Sequence, residues 1–258
     1  MIQEKTSNRN KSKSDQDEIV VDIKNLHLSF GENEVLKGLN LSLKKGEGLV
    51  ILGKSGSGKS MTIKCIVGLA KPDEGEINIF GTDITKLNNA ELNKIRVRVG
   101  FLFQNGALYD SMPVRHNLLF TLKQHSPELS AEEIDAAIIE SLKNVGLEDA
   151  IDKMPSELSG GMRKRIGLAR TLIIRPEIIL YDEPTTGLDT VTAKEISELI
   201  LSAQKKYKTS SIIITHDMAC AKMTGDRVVV LKEGVIQAEG TYQELEKSED
   251  EWVRSFFV

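Results

Sequence analysis

Gly53-Lys54-Ser55-Gly56-Ser57-Gly58-Lys59-Ser60 fits the pattern G-x-x-x-x-G-K-[ST] and follows the apolar run Leu49-Val50-Ile51-Leu52. A short apolar run closed by glycine reads as a buried strand, and a strand that feeds a glycine-rich loop and then a helix makes a phosphate cradle. Gly53, Gly56 and Gly58, interleaved with Ser55 and Ser57, let backbone N–H groups crowd around a triphosphate. The helix that follows points its positive end at the same anion. Lys59 is placed to neutralise terminal phosphates and Ser60 to ligate Mg²⁺, so a triphosphate and Mg²⁺ are the expected ligands.

Working outward, Leu49–Leu52, Ile178–Tyr181, Ile212–Ile214 and Val228–Leu231 are continuous apolar runs, the mark of strands covered on both faces in a parallel sheet. By contrast Val20–Leu26, Leu39–Leu43 and Glu76–Phe80 alternate apolar and polar, with Gly31, Gly46 and Gly81 as punctuation. These read as half-buried strands of an antiparallel sheet near the nucleotide. Between Gln104 and Leu158 the period becomes helical, through Leu118, Leu119, Leu122, Ile134, Ile138, Ile139 and Leu142, and Ser130 ahead of Glu132 and Glu133 marks a helix start. The expected class is therefore α/β: a parallel core sheet, an antiparallel β subdomain and a helical subdomain over about residues 105–160.

Composition excludes several classes. A formal net charge of −4 over 258 residues gives none of the basic excess that nucleic-acid binders carry, so no nucleic-acid partner is expected. No apolar run approaches the roughly 18 residues that cross a bilayer, and no signal core opens the chain, which implies a cytoplasmic protein. Residues 1–18 are polar and read as a disordered tail; Glu4, Asp15, Asp17 and Glu18 argue against a transit peptide. Cys65 and Cys220 have neither a C-x-x-C partner nor an adjacent His, and read as buried fillers.

Two further stretches carry chemistry. In Ile178-Ile179-Leu180-Tyr181-Asp182-Glu183 a buried strand ends in two acids, where open α/β sheets place their ligand chemistry. Asp182 can hold Mg²⁺ through its water shell, and Glu183 can orient and polarise the water that attacks in line. Leu158-Ser159-Gly160-Gly161-Met162 precedes the basic, apolar-striped segment Arg163–Leu172, so Ser159, Gly160 and Gly161 open a helix and offer a second anion site.

Taken in order, Gly53–Ser60, Gln104 in Phe101-Leu102-Phe103-Gln104, Leu158–Met162, Ile178–Glu183, Gly187-Leu188-Asp189 and His216 resemble the full motif set of an ABC ATPase, a P-loop NTPase, over residues 20 to about 245. The resemblance implies that Phe30 stacks on adenine, that Gln104 senses the γ-phosphate, Mg²⁺ and the lytic water, and that His216 holds the γ-phosphate end. It also implies a homodimer sandwiching two ATP molecules, because in the family the Ser-Gly-Gly signature of one subunit closes over the phosphate loop of another. Departures are mild: Phe30 for the commoner Tyr, Lys54 in a variable loop position, Met162 for Gln, and Thr186-Gly187-Leu188-Asp189 for Ser-Ala-Leu-Asp.

Within that family, Phe103-Gln104-Asn105-Gly106-Ala107-Leu108-Tyr109-Asp110-Ser111-Met112-Pro113-Val114 is similar to the F-Q-x-G-A-L-F-D-S-M-x-V pattern of Mla-type ATPases, and Leu158–Arg165 resembles their signature. That subfamily implies phospholipid transport with a separate integral membrane permease and an Mce-domain lipid-binding protein, from a station on the cytoplasmic face of the inner membrane. Solute importers and lipoprotein-release or cell-division complexes are the alternative. Residues 246–258 form an extension whose Trp252, Phe256 and Phe257 share a helix-compatible spacing, open to folding back, to docking on a second subunit, or to membrane contact.

Overall fold

The computed structural model describes residues 18–257, so the tail expected over residues 1–18 lies almost wholly outside the described residues. Alternation in the N-terminal third does build an antiparallel sheet. Strands β1 (Ile19–Phe30), β2 (Asn33–Lys44), β4 (Glu74–Ile79) and β5 (Thr82–Asp83) lie in the order β2-β1-β4-β5. Pairing Val21 with Leu43 and Ile79, and Ile23 with Leu41 and Ile77, puts six aliphatic side chains on one buried face. The phase of alternation then slips between Ile23 and Leu26. A bulge absorbs the slip, with Asn25 at φ 48°, and returns Leu26 and Leu28 to the core.

The four continuous apolar runs are neighbours in a second sheet. Strands β3 (Gly48–Gly53), β6 (Val99–Leu102), β7 (Ile178–Asp182), β8 (Ser210–Ile214), β9 (Arg227–Lys232) and β10 (Val235–Gly240) follow the order β10-β9-β3-β8-β7-β6. Pairing is parallel from β9 to β6 and antiparallel only between β10 and β9. All residues of β3 and β8 are buried, as both-faces coverage requires. One face packs on the antiparallel sheet through Leu49, Ile51, Leu180 and Ile214. The other is covered by α5 (Gly160–Leu172), α6 (Thr190–Tyr207) and α7 (Met218–Thr224), through Leu168, Ile196, Ile200 and Cys220.

Helices α3 (Val114–His125) and α4 (Ala131–Lys143) pack with α5 around Leu118, Leu122, Ile138 and Ile166. Ser130 caps α4 in a reciprocal capping box with Glu133. Ile139, included in the apolar stripe, is instead half exposed, since it lies one residue off the Ile134–Ile138–Leu142 line. The remaining helices are α1 (Lys59–Ile66), α2 (Asn89–Arg96), α8 (Tyr242–Glu246) and α9 (Glu251–Arg254). Val253 in α9 is fully buried, Tyr242 meets Phe257 edge-on with centroids 5.0 Å apart, and Trp252 meets Phe256 at 4.9 Å. The aromatic end thus folds back onto its own chain. Both cysteines are free and buried; burial pushes the thiols up, to about 12 for Cys65 and about 11 for Cys220.

Candidate functional site

Parallel pairing brings the carboxyl ends of β3, β7 and β8 to one edge, and the site assembles just beyond them. Leaving β3 at Gly53, the chain turns through Gly56 at φ 81° and Gly58 at φ 102° before entering α1 at Lys59. A Cβ on Gly58 would meet Leu36 Cδ2 at 2.8 Å and Val35 O at 3.0 Å, so both conformation and space demand glycine. No side chain caps α1, which leaves its first N–H groups for an anion.

Around this loop lies a cleft of about 600 Å³. Gly53, Ser55, Gly56, Ser57, Gly58, Lys59 and Ser60 line it, and Gln104, Glu183 and His216 reach it from three other loops. Lys59 Nζ donates to the carbonyls of Gly53 at 2.7 Å and Lys54 at 3.0 Å, held inside the loop as a ready phosphate counter-charge. Burial pushes its pKa down, while Glu183 and Asp182 pull the other way. Among the described residues the buried Ser57 Oγ has no hydrogen-bond partner.

The metal position was expected at Ser60, Gln104 and Asp182. Ser60 Oγ donates to Asp182 Oδ1 at 2.9 Å, which joins two oxygen donors across the end of the sheet, and Gln104 lines the same cleft. This hard, oxygen-only set suits Mg²⁺, which takes one or two protein oxygens and completes its shell with phosphate and water.

Glu183 follows β7 with φ 51°, a left-handed conformation that a non-glycine residue holds only under external constraint. Its N–H donates to Ile214 O at 2.9 Å. Its Oε2 accepts from Thr186 Oγ1 at 2.9 Å and lies 2.8 Å from His216 Nδ1. Phe30 sits at the tip of the β1–β2 hairpin, more than half exposed and paired with Asn33, a residue of the cleft wall.

Ser159, Gly160 and Gly161 are placed elsewhere. Ser159 caps α5 by accepting from Met162 N–H at 3.2 Å, and Gly160 borders a separate cleft of about 610 Å³ with Asp110, Arg163 and Gly187. A Cβ on Gly161 would lie 2.6 Å from Thr192 Cγ2, so close packing on α6 fixes that glycine. Within one chain, then, the phosphate loop meets Gln104, Glu183 and His216, and Ser159, Gly160 and Gly161 do not line that cleft.

The profile of the ABC transporter family matches residues 36–186, from β2 through the Asp182-Glu183 pair. The chain belongs to this family.

Relatives of the ABC cassette include the probable ribonucleotide transport ATP-binding protein mkl of Mycobacterium leprae, 39% identical over 238 residues that span 92% of this chain and 68% of that one. The intermembrane phospholipid transport system ATP-binding protein MlaF of Haemophilus influenzae is 37% identical over 231 residues, 90% of this chain and 87% of its own. Among solved structures, the dimeric post-hydrolysis state of the ATP-binding cassette MJ0796 bound to ADP and Pi superposes with a TM-score of 0.79 at 35% identity, covering 86% of this chain and 98% of that one. The cassette is an ATP-binding, ATP-hydrolysing transporter subunit, and its similarity to MlaF is consistent with the Mla-type group. No described helix is long and apolar enough to cross a membrane.

Sequence reading missed three residues that shape this site. Thr186 hydrogen-bonds Glu183. Lys164, a buried cation of α5, reaches the same turn. Asn117, fully buried in α3, accepts from Tyr109 N–H at 2.8 Å and donates to the carbonyls of Tyr109 and Met112. The usable signal for the last two was a polar residue on an apolar helix stripe.

Proposed function

We propose that the cassette powers phospholipid movement across a bacterial envelope, working as an ATP-sandwich homodimer on the cytoplasmic face of the inner membrane beneath a separate permease and an Mce-domain protein. The observation that carries this reading is the loop Phe103–Val114, whose residues follow the Mla-type pattern, together with the near full-length match to MlaF. The relative mkl is named for ribonucleotide transport, the cargo class that competes with lipid.

In this reading the phosphate loop and Lys59 bind ATP in one protomer, and Ser159, Gly160 and Gly161 of the second protomer close over it. Mg²⁺, held by Ser60, Gln104 and Asp182, would neutralise charge developing on the phosphate oxygens. Glu183 orients and polarises water for in-line attack, while His216 contacts the γ-phosphate. That Ser159, Gly160 and Gly161 do not line the cleft around the phosphate loop of their own chain supports a site shared between two chains.

The Phe103–Val114 loop supplies a surface for the permease. Tyr109 and Phe120 are exposed and meet edge-on with centroids 5.2 Å apart. Leu108 and Tyr109 lie just after Gln104, so a permease helix pressing there shifts the γ-phosphate sensor. Affinity purification from the native membrane, with identification of the co-purifying chains, tests the proposal. An Mce-domain protein and its permease are the expected partners; a solute permease in their place overturns the lipid reading.

A further inference from the structure

Lys164 lies on the inner face of α5, five residues beyond Ser159, and only 6% of it is exposed. Its Nζ donates to the carbonyl oxygens of Thr186 and, at 3.4 Å, of Glu183. Among the described residues no carboxylate forms an ion pair with it. Burial pushes the ammonium's pKa down and the charge of Glu183 pulls it back up. A buried charge served by two carbonyl groups is costly in a fold that could place an apolar side chain there, so its retention calls for a reason beyond packing.

The reason is visible in what it touches. Glu183 is held in its left-handed conformation from several sides: its N–H by Ile214, its carboxylate by Thr186 and His216, and its carbonyl by Lys164. Of these tethers, Lys164 is the one that comes from α5. The same helix carries Arg170, whose guanidinium donates to the carbonyls of Ala107 at 2.8 Å and Gly106 at 3.1 Å, just past Gln104. One helix, opened by Ser159, thus grips both the Glu183 turn and the Gln104 loop.

We propose that Lys164 is a positioning residue for ATP hydrolysis, which fixes the backbone of Glu183 and Thr186 to the helix that begins at Ser159. The inference rests on Glu183 being the group that polarises the attacking water. Displacement of α5 then moves the Glu183 carboxylate relative to the phosphate loop of its own chain.

The test uses the full-length protein carrying Lys164→Met or Lys164→Gln, with Glu183→Gln alongside. Lys164→Met is expected to lower kcat about tenfold or more while KM for ATP and the affinity for a fluorescent ATP analogue change less than about twofold. Lys164→Gln, whose amide can still donate to one carbonyl, is expected to recover part of the loss. Parental kcat in Lys164→Met, kcat and nucleotide affinity falling together in both variants, or Gln performing no better than Met would each overturn the proposal. Should Lys164→Met fail to fold, Lys164→Gln decides: reduced kcat at unchanged KM supports the assignment, and parental kcat contradicts it. An inactive Glu183→Gln beside a fully active Lys164→Met defeats this inference alone, whereas an active Glu183→Gln defeats the reading of Glu183 beneath it.

Discussion

His216 Nδ1 lies 2.8 Å from Glu183 Oε2, the same oxygen that accepts the hydrogen bond of Thr186 Oγ1. Among the described residues Oε1 makes no hydrogen bond, so one oxygen of this carboxylate is anchored and the other is left for water. Replacing the carboxylate by an isosteric amide keeps its shape and removes the charge proposed to polarise the nucleophile. Glu183→Gln should therefore bind ATP with parental affinity and lose turnover by about 10²–10³-fold. Steady-state ATPase and nucleotide binding on one preparation check this; wild-type-like turnover would remove Glu183 from its role.

Lys59 answers a different question. Its ammonium rests on the carbonyls of its own loop and is the side-chain cation that lines the cleft among the described residues. Losing a charge-assisted contact of about 1.5–3 kcal/mol should weaken ATP binding by roughly ten- to a hundredfold in Lys59→Ala. Equilibrium titration with ATP is the measurement, and unchanged affinity would show the phosphate loop to be misassigned.

A shared site makes a prediction that a self-contained site does not. Ser159→Arg should abolish hydrolysis, as should Lys59→Ala, yet a heterodimer of the two regenerates one intact composite site. Mixing the two inactive proteins should restore up to about half of the parental activity per heterodimer, on the premise that the two sites act independently. With heterodimers demonstrated by differential tags, a mixture no more active than either parent would count against the arrangement.

Tyr109→Asp should weaken assembly with the permease while the isolated cassette keeps its basal ATPase, because a carboxylate would be buried in an apolar contact at a cost of about 2 kcal/mol or more. Pull-down of the permease and ATPase assays on the free protein separate the two effects. Normal co-purification and normal lipid transfer would misplace the coupling surface.

Arg227 is largely buried, binds both oxygens of the nearly buried Glu47 at 2.6 and 3.0 Å, and donates to Ser42 O, tying the two sheets together. Arg227→Met strands the Glu47 charge and should cost about 3 kcal/mol in a urea titration. Adding Glu47→Gln should recover part of the loss; a second loss of similar size would show that the pair does not act as a unit.

The readable parts of the chain were those in which a local period or a motif reports burial directly. Leu49–Leu52 and Ile212–Ile214 lie buried on both faces and so appear as unbroken apolar runs. β6 left only a weak trace ahead of Gln104, because it has four residues and holds Gly100, whose Cβ would lie 2.7 Å from Thr171 Cγ2; contact with α5 chose its composition, not strand propensity. β10 alternates half-exposed and exposed residues at a sheet edge, a pattern too weak to stand out. In the site, motif residues were legible because their chemistry dictates their type. Lys164, Thr186 and Asn117 act through backbone carbonyls or a neighbouring side chain, and such partners leave little trace in spacing. Lys164 shares an i, i+4, i+7 line with Leu168 and Thr171, all buried; a lysine on that line was the clue.

On the proposed function, hydrolysis in this cleft drives phospholipid movement. Reconstitution of the cassette with its co-purified membrane partners in proteoliposomes, followed by transfer of a fluorescent phospholipid between donor and acceptor membranes, tests it most directly. ATP should be required for transfer, and the same complex assembled with Glu183→Gln should bind ATP and move no lipid. A complex that hydrolyses ATP at full rate while lipid stays in place, or that instead accumulates a water-soluble solute, would contradict the claim.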